Sequence, residues 1–205
     1  MHSVKIRSDA TYADIEALPE HLVGELIAGT LYVSPRPALP HTVAASELGA
    51  DLIMLFRRGR GGPGGWIILD EPEVWLGRDV LVPDVAGWRR ERLPSVPPDR
   101  AMRLAPDWLC EVLSPSTARL DRLRKLPVYA AAGVEHVWLV DPLARTVEVY
   151  RRQGETWLLV TIADGAQTEA RLEPFEAVVL DLTAWWGEEG PDLGPVAAEP
   201  VLAGW

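Results

Sequence analysis

The chain carries one cysteine, Cys110, among its 205 residues. That excludes an intrachain disulfide framework and any zinc cluster built from paired cysteines. Long apolar runs are also missing, and no stretch approaches the roughly 18 apolar residues of a membrane-spanning helix. The opening residues, MHSVKIRSDA, hold no apolar core of the kind a secretory signal carries. No internal repeat and no low-complexity tract is visible. These absences predict a reduced, cytoplasmic protein with no membrane association. Lysine is nearly absent too: 18 basic positions are Arg, and only Lys5 and Lys125 are Lys.

What is present fits a globular chain, 48% hydrophobic and 24% charged, long enough to bury a core without staples. Its length predicts a single domain over residues 1–185 and a loose acidic Gly/Pro-containing tail over 186–205. The net charge of −10 is unevenly spread. Residues 1–150 hold 17 basic and 20 acidic side chains, whereas 151–205 hold 3 and 10. Acidity of this degree argues against strong nonspecific nucleic-acid binding, yet leaves room for a local basic surface in the first 150 residues. Arginines cluster at 57–60, 89–103 and 119–124; such clusters also decorate ordinary solvated loops and helix ends.

The pattern along the chain alternates short helices with short strands. Thr11 to Leu18 reads as a helix capped by Thr11 and stopped at Pro19. Leu22–Ile27 and Thr30–Ser34 read as a hairpin turned at Ala28-Gly29. Pro40–Arg58 has apolar residues near helical spacing, and Gly59 can end it. Trp66–Leu76 is β-rich apart from Pro72, and Val80–Trp88 returns after a turn at Gly77-Arg78-Asp79. Residues 89–106, rich in proline and charge, read as a surface excursion. Trp108–Leu113 is an apolar strand, followed by a helix to about Ala132 that Pro127 should kink or interrupt. Val134–Val140, a hairpin around Gly154 and a short strand at Val178–Leu182 complete a mixed α/β architecture around one central sheet.

Three polar side chains stand where burial is expected. Glu111 interrupts the apolar run DWLCEVL. An ionised carboxylate there is costly unless paired, protonated or metal-bound; the alternative is an edge strand whose second face meets water. Asp84, in VLVPDVAGW, is either a turn residue or the end of a strand beside Glu111. Two such carboxylates form a hard-oxygen site suited to Mg²⁺, with Mn²⁺ able to substitute. Lys125 is conspicuous in a chain that otherwise uses Arg: a compact, rotatable ammonium can orient a water or hold a phosphate oxygen, although an exposed helix lysine is the plainer reading. Asp, Glu and Lys around one sheet suit metal-dependent phosphodiester hydrolysis. His41, opening the helix after Pro40, is a candidate substrate contact or simply a polar residue at a helix start. Asp121 reads as a local partner of Arg124 or Lys125, with a metal role as the secondary reading. Ser114 and Ser116 lack a nucleophile elbow and read as capping residues. The GRGGPGG loop lacks the lysine and hydroxyl of a phosphate-binding loop, and the tryptophans read as core.

The runs VLVPDVAGW, APDWLCEVLSPST and YAAAGVEHVWLVDP, with Asp121 and Lys125 between the last two, resemble the Uma-type restriction endonucleases of the PD-(D/E)XK nuclease superfamily. The segment GELIAGTLYVSPRP followed by His41 is also similar to that family. The resemblance spans roughly residues 10–150. It implies a restriction-endonuclease-like fold, a central mixed sheet flanked by helices. It implies Asp84 and Glu111 as the metal-binding pair and Glu25 as an auxiliary metal-site residue. The chain departs from the usual signature at Leu113, where the lysine would stand, so Lys125 is expected to reach back from the adjacent helix. The expectation is a Mg²⁺-dependent DNA endonuclease acting as a homodimer. A catalytically degenerate module binding nucleic acid or protein on the same fold, and a phosphodiesterase for a small substrate, remain as alternatives.

Overall fold

A computed structural model describes residues 4–34 and 37–187. Two β-sheets organise them. The larger has six strands in the order β11-β10-β9-β8-β7-β4. These are β4 (Trp66–Asp70), β7 (Val85–Arg89), β8 (Trp108–Val112), β9 (His136–Asp141), β10 (Thr146–Gln153) and β11 (Thr156–Asp164). It is mixed as expected: β8 and β9 run parallel and its other neighbours antiparallel. The second sheet has five strands in the order β1-β3-β2-β6-β5, formed by β1 (Val4–Ser8), β2 (Val23–Ile27), β3 (Thr30–Ser34), β5 (Val74–Leu76) and β6 (Asp79–Leu81). A two-stranded ribbon joins β12 (Glu169–Ala170) to β13 (Leu180–Asp181).

The second sheet corrects the expectation of one sheet. The apparent run Val80–Trp88 divides at Val82-Pro83-Asp84, so β6 lies in the small sheet and β7 in the large one. Pro83 has no N–H to extend a ladder, and the chain changes sheets there. Residues 89–106 do form an irregular excursion, but Met102 is buried and exchanges backbone hydrogen bonds with Glu73 and Trp75. Of the expected tail, residues 188–205 lie outside the described residues.

Helices cover both faces of the large sheet. On one side α2 (Leu39–Leu52), prolonged by a π turn at Ile53–Arg57, presents Ala44, Leu48, Leu52 and Phe56 at four-residue spacing. These pack on Trp108, Cys110, Val112 and Trp138. Between Trp66 and Trp108, Gly87 has no room for a side chain: a Cβ would come 2.9 Å from Ile68 and 3.2 Å from each indole. On the other side lies a continuous helical segment: α3 (Ala118–Leu120), a π turn at Asp121–Lys125 and α4 (Leu126–Ala131). Pro127 does not break it. The helix widens by a π turn just before, so the proline falls in the first turn of α4, where its missing N–H is tolerated. The short helix α1 (Tyr12–Glu16) is capped by Thr11, whose N–H donates to Asp14 Oδ2 at 2.8 Å.

The two edges of the large sheet differ. At the β4 edge, Arg57 Nη1 donates to the Ile68 carbonyl at 2.9 Å. The β11 edge is a nine-residue strand without charge from Thr156 to Ala163, and Leu158, Leu159, Val160 and Ile162 are exposed on it.

Candidate active site

Side-chain alternation fixes where Glu111 points. Trp108, Cys110 and Val112 face α2, so Leu109, Glu111 and Leu113 face the opposite helical layer. β8 lies between β7 and β9, and all five of its residues are buried. The reading of Glu111 as a carboxylate on a half-wet edge strand therefore fails. Its partners come from the helix above: Lys125 Nζ lies 3.1 Å from Oε2 and 3.3 Å from Oε1, and the Tyr129 hydroxyl donates to Oε1. Lys125 and Tyr129 are one helical turn apart on one face. Leu113, at the usual lysine position, is buried in the core.

Lys125 gathers further acids. Glu25 Oε1, carried by β2 of the small sheet, is 2.9 Å from the ammonium, and Asp121 Oδ1, one turn earlier in the helix, is 3.3 Å away. Glu25 Oε1 also accepts the Val82 N–H at 2.9 Å, which ties it to the chain just before Asp84. The β7–β8 register Val85↔Cys110 brings Asp84, one step on, to the level of Glu111. Asp84 Oδ2 accepts the Val112 N–H at 2.7 Å, and Asp84 Oδ1 is 3.2 Å from His41 Nε2. Among the described residues, the buried His41 Nδ1 has no hydrogen-bond partner. All five residues expected at the site, Glu25, His41, Asp84, Glu111 and Lys125, line one cleft of about 500 Å³.

Residues beyond these five also line the cleft. Asp121 lies in it rather than on the surface, and pairs with Lys125 as expected. Glu71, whose backbone adopts a φ of 43°, lines it at the end of β4. Ser114, Ser116 and Thr117 line its rim; Ser114 and Thr117 exchange hydrogen bonds of 3.0–3.3 Å, as capping residues do. Tyr129 carried one legible signal, its spacing of four from Lys125.

The electrostatics follow from one ammonium facing several carboxylates. Burial, and then the repulsion of Asp121, Asp84 and Glu25, push Glu111 well above the ordinary carboxylate range, which Lys125 only partly offsets. Burial likewise drives Asp121 up to about 6. Burial disfavours the Lys125 ammonium, but Glu111, Glu25 and Asp121 outweigh it and hold the amine charged. For His41 burial is outweighed by Asp84, and its pKa is raised. Burial beside Glu111 holds the Tyr129 hydroxyl protonated and hence a donor.

This surplus of buried negative charge fits a divalent cation, and the donors are hard oxygens suited to Mg²⁺. Among the described residues no group of three or more His, Cys, Asp or Glu side chains is arranged to hold a metal ion. Mg²⁺ commonly takes one or two carboxylates and fills its remaining positions with water and phosphate. Asp84 and Glu111 fit that mode of binding.

The sequence matches, over residues 10–183, the family described as "Uma2: Putative restriction endonuclease". The chain belongs to the Uma2 family. Among solved structures, it is similar to a "putative nuclease belonging to DUF820 from Anabaena variabilis ATCC 29413", with a TM-score of 0.70 and 24% identity over 87% of this chain and 98% of that one. That likeness supports the restriction-endonuclease-like fold expected from the sequence. No curated protein matches the chain. Membership of Uma2 makes this a nuclease-family protein, and among the described residues no helix is long and apolar enough to cross a membrane.

Proposed function

We propose that this Uma2 protein is a cytoplasmic, Mg²⁺-dependent DNA endonuclease. Asp84 and Glu111 hold the metal, with Mn²⁺ an acceptable substitute. Glu25 is the auxiliary acid of the metal site. Lys125 orients the attacking water or stabilises charge on the phosphate, and His41 contacts the substrate. When bound, the metal would polarise the phosphate and acidify a water. Around it, Tyr129 holds one Glu111 oxygen, and the Val112 N–H holds one oxygen of Asp84. The observation that carries the reading is the return of Lys125 from the helix to the carboxylate of β8, which supplies the cation that Leu113 does not.

The test is cleavage of plasmid and oligonucleotide DNA with Mg²⁺, Mn²⁺ or EDTA, alongside calorimetric titration with Mn²⁺. Metal-dependent cleavage lost in Asp84→Asn and Glu111→Gln, both with weakened Mn²⁺ binding, is the expected result. Unchanged cleavage in either variant overturns the ligand assignment. DNA binding without cleavage under every metal condition favours the binding module.

We further propose a homodimer joined along β11, because an uncharged apolar edge meets its own copy without burying charge. Light scattering should give twice the chain mass for the native protein and the monomer mass for Val160→Lys. A native monomer, or an unchanged dimer in the variant, removes this interface.

A further inference from the structure

Glu111 uses Lys125, but Lys125 does not depend on Glu111 alone. Its ammonium also touches Glu25 and Asp121, both buried. A lysine on the same strand as its carboxylate is positioned by the strand. Here the amine crosses from a helix on a flexible four-carbon stem. Something must hold it in place. Asp121 Oδ1 is buried and, among the described residues, accepts no hydrogen bond; its burial is offset chiefly by the charge of Lys125 and to a lesser degree by the Thr117 side chain. Glu25 Oε1 is itself fixed by the Val82 N–H. The two acids approach from different layers, one from the helix and one from the small sheet.

We propose that Asp121 and Glu25 form a carboxylate clamp that positions Lys125 over Glu111 and the cleft. The inference rests on the function proposed above and assigns Asp121 a part in it. The π turn is the backbone element that makes the clamp: it carries Asp121 at its first position and Lys125 at its last. Asp121 and Glu25 are positioning residues acting through Lys125. On this view the auxiliary role of Glu25 is exercised on the lysine.

The experiment uses the scarcity of lysine. With two lysines in the chain, acylation by acetic anhydride followed by peptide mass spectrometry reports Lys125 directly, and Lys125→Arg confirms the assignment. In Asp121→Asn the clamp loses one charge. Lys125 acylation should rise several-fold and kcat on DNA should fall about 10- to 100-fold, with KM and Mn²⁺ affinity within about twofold of the native protein. Asp121→Glu should recover part of the rate. Glu25→Gln should raise Lys125 acylation as Asp121→Asn does, which keeps the test alive if one variant fails to fold. Loss of Mn²⁺ affinity by tenfold or more in Asp121→Asn with unchanged acylation would make Asp121 a metal ligand and overturn the clamp. Unchanged acylation with unchanged kcat overturns it too. If the native protein cleaves no DNA, the proposed function fails, while the acylation measurement still decides the clamp.

Discussion

Arg122 and Lys125 leave the same π turn three residues apart and enter opposite electrostatic settings. Arg122 makes two parallel hydrogen bonds, of 2.7 and 2.8 Å, to Glu148 on β10, and Tyr150 donates to the same carboxylate at 2.6 Å. That cluster is charge-balanced and reaches solvent: the Arg122 side chain is 36% exposed. The Lys125 cluster is buried and carries three carboxylates within 3.3 Å of one ammonium. A matched pair asks for no further ligand. A surplus of acid held out of water is costly to the fold, and proteins keep such arrangements where the charge has chemistry to do.

The comparison can be broken by substitution. Lys125→Met should be the most damaging change, lowering stability by about 3–5 kcal/mol because it strands buried carboxylates; chemical denaturation measures this. A loss below about 1 kcal/mol would mean that the acids already share protons without it. Glu111→Gln keeps shape and removes charge, and should cost about 10²–10³-fold in metal-dependent cleavage while leaving the melting temperature unchanged or raised. Cleavage within a few-fold of native would reduce the cluster to a structural role.

The pH response should separate the clusters by sign. Asp121, at about 6 in the folded protein, binds its proton more tightly folded than unfolded, where the value is near 3.9. Its contribution to stability therefore grows as pH falls from above 6 toward 4. Glu148 is lowered by its hydrogen bond from Arg122, so its contribution is present above the unfolded carboxylate value and is lost as pH falls through the folded one. Melting curves between pH 4 and 7 should be flatter for Asp121→Asn than for the native chain; an identical slope would remove Asp121 as the source. The smallest effect belongs to Arg122→Met, about 1 kcal/mol or less, since a partly exposed pair is screened by solvent.

Much of the site could be read from the sequence because its residues violate local expectation. Glu111 stands out as a carboxylate in an apolar strand, and Lys125 as a lysine among arginines. The helices and hairpins followed from periodicity and turn residues: Ala28 and Gly29, for example, both adopt the positive φ that their turn demands. Other features depend on tertiary packing. Pro127 looked like a break because local rules cannot foresee the π turn that absorbs it. The division of Val80–Trp88 between two sheets turns on which neighbours each half finds, a non-local matter. Glu71 and Tyr129 left little trace, since an exposed-looking loop acid and a helix tyrosine are ordinary until a cleft or a carboxylate meets them.

Cys110, fully buried on β8 next to Glu111, faces the α2 layer, and burial holds its thiol well above the ordinary range. The strand that carries the central carboxylate thus contains a native chemical clock. A thiol reagent can reach the sulfur only when the sheet parts from α2, so its rate of reaction times the breathing of the site's own scaffold without an engineered probe.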